Sequence, residues 1–151
     1  MLLSKIDPKM QAGGPAFSAY NTNVQNVTNA VYTKVNLDTE DFDTDNCFAT
    51  GRFTPTVPGY YQINGTVYGY GGSTATVISV LYKNGTAYHA GSFGNANTAT
   101  NGISTVAGLI YFNGTTDYVE LYCYVNATTS PNLPAMNAGI GTRLSGFFVR
   151  G

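Results

Sequence analysis

The chain has 151 residues, a formal charge of −1, and Asp, Glu, Lys and Arg at only 10% of positions, with 12 Tyr and no Trp. That length suits one domain with a core of its own, while the pI near 5.6 and singly scattered Lys and Arg argue against nucleic acid as a partner. No stretch reaches the roughly 18–20 apolar residues of a membrane span, and the start MLLSKIDPKM lacks the apolar centre of an export signal.

Residues 1–14 end in Ala12-Gly13-Gly14-Pro15 and read as an N-terminal arm outside a domain at 15–151. The first strand-like run is Ala16-Phe17-Ser18-Ala19-Tyr20. Asp38, Glu40, Asp41, Asp43 and Asp45 hold five of the eight carboxylates. Asp41-x-Asp43-x-Asp45 imitates the opening of a calcium loop, but Asn46 replaces the required glycine and Arg52 the closing glutamate. The segment reads as a solvated acidic loop, so no metal ligand and no cofactor is assigned. Residues 60–68 read as one continuous strand, with Gly65 at a bulge or close contact and Tyr61, Ile63 and Val67 on the apolar face.

Residues 77–83 and 86–92 form the clearest hairpin, because Asn84-Gly85 supplies the two positive φ angles of a type I′ turn. In 103–112, Val106, Ile110 and Phe112 are core and Thr105, Ala107, Leu109 and Tyr111 face away. After the turn Asn113-Gly114-Thr115-Thr116-Asp117, Val119, Leu121, Cys123 and Val125 alternate with Tyr118, Glu120, Tyr122 and Tyr124. Residues 91–102 and 126–139 read as long loops. Cys47 and Cys123 read as free thiols, since a stapled secreted domain of this size carries more cysteines. The Asn-x-Ser/Thr sites at Asn26, Asn64, Asn84, Asn113 and Asn126 follow by chance from an Asn- and Thr-rich composition.

Five segments in register resemble one family: Pro15-Ala16-Phe17-Ser18-Ala19; Gly51-Arg52-Phe53 followed by Pro58-Gly59-Tyr60-Tyr61; Leu81-Tyr82-Lys83-Asn84-Gly85; Gly114-Thr115-Thr116-Asp117-Tyr118-Val119-Glu120-Leu121; and Leu144-Ser145-Gly146-Phe147-Phe148-Val149. The pattern is similar to the C1q and tumour necrosis factor (TNF) family. That resemblance implies an all-β, ten-stranded jelly-roll sandwich assembled as a threefold trimer with both termini at one end. No collagen-like stalk, secretion signal or family cysteine pattern is present in the sequence, and the leader Lys5-Ile6-Asp7-Pro8-Lys9-Met10 before Gly13 is similar to that of C1q-like modules of tailed-bacteriophage virions.

Catalysis finds little to work with. The one histidine, His89, lies in a strand with neither cysteine nearby in sequence, and the glycine runs lack a phosphate cradle's context, so no catalytic residue is assigned and an enzyme is not expected. Tyr60, Tyr68, Leu109 and Tyr111 fall on the faces opposite the core and are expected at the trimer interface. Leu2, Leu3, Ile6 and Met10 are expected to anchor the arm to a larger particle. These readings make the chain a virion-surface structural protein of the capsid decoration or cement type, partnered by its own copies and by other virion proteins. The alternatives are a receptor-binding knob of a tail or head fibre that recognises a host-surface glycan or protein, and a secreted C1q-like lectin.

Overall fold

In the computed structural model, which describes residues 13–72, 75–96, 101–135 and 140–151, every regular element is a β-strand. In chain order these are β1 (Ala16–Tyr20), β2 (Gln25–Asn26), β3 (Thr33–Lys34), β4 (Thr39–Asp43), β5 (Phe48–Ala49), β6 (Arg52–Phe53), β7 (Gly59–Tyr70), β8 (Ala75–Lys83), β9 (Thr86–Ala96), β10 (Asn101–Phe112), β11 (Val119–Asn126), β12 (Asn132–Leu133) and β13 (Arg143–Arg150). Among the described residues the expected ten strands are thus thirteen segments, of which β2, β3, β5, β6 and β12 are only two residues long.

They form two antiparallel sheets. The first runs β4, β1, β13, β7, with β10 completing it beyond β7 and the short β12 and β2 at the far end of β7. The second runs β5, β6, β11, β8, β9, with β3 also on β11. Alternation dictates which faces meet. On β7, Tyr61, Ile63 and Val67 are fully buried, and on β11, Val119, Leu121, Cys123 and Val125 are. These inward faces enclose the core. At one end of it Phe17 stacks on Phe53 at 4.2 Å, and Tyr61 and Phe112 meet Phe53 edge-on. The buried Tyr61 hydroxyl donates to Val57 O at 2.8 Å, and burial pushes the phenol well above its ordinary range.

Residues 60–68 are one unbroken strand as expected, and a side chain at Gly65 would meet Leu121 Cδ1 at 2.8 Å. Lys83 pairs with Thr86 across Asn84-Gly85, whose φ angles are 52° and 78°, as a type I′ turn requires. Two expectations fail. The acidic segment is not a loop, because Thr39–Asp43 pairs with β1 as an edge strand. Its charges point outward where an edge tolerates them, which blunts that edge. Nor are residues 91–96 a loop, for β9 continues to Ala96. Gly91 and Ser92 serve a close approach: Ser104 Oγ donates to Ser92 O at 2.5 Å and Thr105 N to Ser92 Oγ at 3.3 Å, so β9 and β10 draw the two sheets together.

The described chain begins and ends at one end of the sandwich. Phe148 N donates to Pro15 O at 3.0 Å, tying the start of β1 to the end of β13, and Arg150 lies opposite Tyr60 at the start of β7.

Candidate interaction face

The first sheet turns one face to the core and the other to solvent. Register fixes what the solvent face carries, because directly paired residues share a face. From the terminal end, Tyr60 pairs with Tyr111, Gln62 with Leu109, Asn64 with Ala107, Thr66 with Thr105 and Tyr68 with Ile103. On the other side of β7, Gln62 pairs with Phe147, Asn64 with Ser145 and Thr66 with Arg143. The four residues expected at an interface therefore lie on one face. Tyr60 and Tyr111 meet edge-on at 5.4 Å between centroids, Leu109 is 53% exposed, and the half-buried Tyr68 accepts a hydrogen bond from Asn101 Nδ2 at its hydroxyl.

The face is larger than the sequence reading gave. Phe147 at 50% exposure and Ile103 at 57% extend it. Phe147 had a signal: two adjacent phenylalanines in a strand cannot both face inward. Across β13 and β1 the surface turns polar, where Arg143 Nη2 meets Asp41 Oδ2 at 2.5 Å and Ser18 Oγ donates to the same oxygen at 2.8 Å. The result is an apolar aromatic band beside an ordered ion pair.

Other sites carry less. Burial works to raise the Asp38 carboxyl, but hydrogen bonds from Asn23, Thr22 and Thr39 outweigh it and hold the group below its ordinary value. Asp43 is engaged too, accepting from Phe48 N at 2.7 Å. Among the described residues no group of three or more His, Cys, Asp or Glu side chains could hold a metal ion. His89 is exposed on β9 and lies edge-on to Tyr88. Cys47 and Cys123 are buried free thiols, and burial pushes the Cys123 thiol up to about 12. Leu2, Leu3, Ile6 and Met10 lie outside the described residues.

No protein-family model matches the sequence, and no curated protein does. Solved structures do match in shape. The globular domain of zebrafish complement 1qA protein superposes with a TM-score of 0.56 at 18% identity, covering 90% of this chain and 98% of that one. Murine APRIL at pH 5.0 gives 0.64 at 11% identity, covering 90% and 99%, and Eiger TNF from S. frugiperda gives 0.58 at 12%, covering 91% and 92%. At such identities the likeness establishes the fold alone. The chain has the all-β jelly-roll fold of C1q and TNF domains.

Proposed function

We propose that the protein is a non-enzymatic homotrimer that decorates the surface of a virion, held there by its N-terminal arm. The observation that carries this reading is the exposed apolar band of Tyr60, Ile103, Leu109, Tyr111 and Phe147 on the first sheet. A monomer gains nothing by leaving so contiguous an aromatic surface wet, whereas a threefold assembly buries it. The shared exit of the chain ends supports the anchoring role. Three arms leaving one end of a trimer would stand side by side against a particle surface.

Light scattering on the purified protein at micromolar concentration should give three times the 16.0 kDa chain mass. A clean monomer overturns the trimer. Leu109→Arg, which would bury an unpaired charge between subunits, should leave a folded monomer. Deleting residues 1–12 should keep the folded trimer and abolish incorporation into the parent particle. Imaging of purified virions should then find the protein on the capsid shell, and its appearance at a tail or fibre tip would favour the receptor-binding alternative.

A further inference from the structure

The second sheet also has a face turned from the core, and it is built differently. Register places Arg52, Glu120 and Tyr82 in one row across β6, β11 and β8, and Lys34, Tyr122 and Val80 in the next across β3, β11 and β8. Tyr82 and Tyr122 stack at 3.8 Å between centroids. Ile78 and Val80 also point this way, yet they are only 6% and 2% exposed and lie outside the core cluster. This sheet therefore carries a second, thinner apolar layer on its outer side, edged by tyrosines.

Glu120 sits at its margin. It is the only charged side chain buried among the described residues. Lys34 Nζ at 2.7 Å and Arg52 Nε at 2.9 Å both bind the same oxygen, Oε1. The Arg52 guanidinium lies 3.8 Å over the Tyr118 ring, which fixes its plane. A buried ion pair adds little stability over an apolar replacement, whereas it fixes geometry well. Here one carboxylate holds two cations that stay partly open, with 35% of the Lys34 side chain and 43% of Arg52 exposed. The cluster keeps one excess positive charge. Because Glu120 engages Arg52 through Nε, the terminal nitrogens Nη1 and Nη2 are left as a planar fork, which matches a carboxylate.

We propose that this face binds an acidic saccharide, with its carboxylate on Arg52 and Lys34 and its sugar ring against the stacked Tyr82–Tyr122 pair. The outer side of that stack supplies flat apolar area for the C–H face of a pyranose, and the tyrosine hydroxyls meet its hydroxyls. Burial first, and the Glu120 carboxylate next, push the Tyr122 phenol up, so it stays a neutral donor. One excess charge suits a single carboxylate, and a polyphosphate would need more. The site lies on the opposite sheet from the band assigned to trimer contacts, so it does not depend on that assignment.

The test is calorimetric titration of the full chain with N-acetylneuraminic acid and with digalacturonic acid, each beside its methyl ester. The free acids should bind, and the esters should bind about tenfold or more weakly, a difference of ~1.4 kcal/mol or more. Arg52→Gln, which leaves Lys34 on the buried Glu120, should weaken acid binding by a similar factor, with the light-scattering mass unchanged and a cooperative melt retained at a lower temperature. Should Arg52→Gln fail to fold, Arg52→Lys, which keeps the charge and loses the fork, replaces it and should show the same loss. Four results would overturn the site: no binding of either acid at millimolar concentration, equal binding of acid and ester, undiminished binding by the folded variant, or tighter binding of an Asp/Glu peptide than of both acids. A monomeric mass in the same samples would count only against the trimer.

Discussion

Asn84 works at both ends of its side chain. Its Nδ2 donates to Asp117 Oδ1 at 2.8 Å, its Oδ1 accepts from Tyr118 N at 2.9 Å, and its own backbone sits at a φ of 52°. Asn84→Ala loses both bonds and places a Cβ-branching-free but less tolerant residue in the left-handed region, so denaturation should show a loss of ~2 kcal/mol. The same bond, with Lys83 beside it, holds the Asp117 carboxyl below its ordinary value of 3.8. A depressed folded pKa means that the ionised form stabilises the fold above that ordinary value and that this contribution drains away as pH falls through the folded pKa. The wild type should therefore lose more stability than Asn84→Ala as the pH is taken down through and below 3.8. A steeper acid loss in the variant would show that Asn84 is not the group responsible. Cys123 offers a second check at this scale. Fully buried and with its thiol pushed up to about 12, it should resist thiol reagents at neutral pH and react only at the rate of unfolding.

At the scale of elements, the closure between β9 and β10 rests on Gly91, where an added Cβ would stand 2.2 Å from Thr105 O and 2.5 Å from Ser79 Oγ. Thr105 O belongs to backbone that cannot step aside, so Gly91→Ala should cost roughly 1–3 kcal/mol or more. Thermal melting would measure it, and a change below half a kilocalorie would mean that the edge is loose. This closure was illegible in the sequence. The glycine and serine that permit it carry the composition of a loop, which is how residues 91–102 read from the sequence alone. By contrast, 103–112 and 119–125 were readable because each packs one face on the core, and a half-buried strand announces itself by alternation. The acidic stretch failed as a strand reading for the opposite reason: β4 lies at an edge and shows only Thr39 and Asp43 partly buried, so no apolar period marks it. On the candidate face, Tyr60, Tyr68, Leu109 and Tyr111 were readable as the odd side of two alternating strands. Glu120 was read onto the correct face, but its burial was not readable, since its partners Lys34 and Arg52 lie 86 and 68 positions away.

For the whole molecule, the decisive feature is where β13 goes. It follows every other strand in chain order, yet it lies between β1 and β7 at the centre of the first sheet, pairing Phe17 with Gly146 on one side and Ile63 with Gly146 on the other. Leu144 on it is fully buried. Removing residues 143–151 should therefore leave no cooperative thermal transition, and a truncated chain that still melted cooperatively would mean that the sheet can close without its centre. Pairings that span nearly the full chain also place refolding in the slow range of milliseconds to seconds. During synthesis the same arrangement imposes an order of events. A nascent chain still tethered at β13 holds β1 and β7 as two open edges with nothing between them, so the first sheet cannot close until β13 has cleared the ribosome tunnel. Until then the chain carries exposed, strand-forming edges, and its yield should rise with holdase chaperones and fall whenever translation pauses between residues 112 and 143.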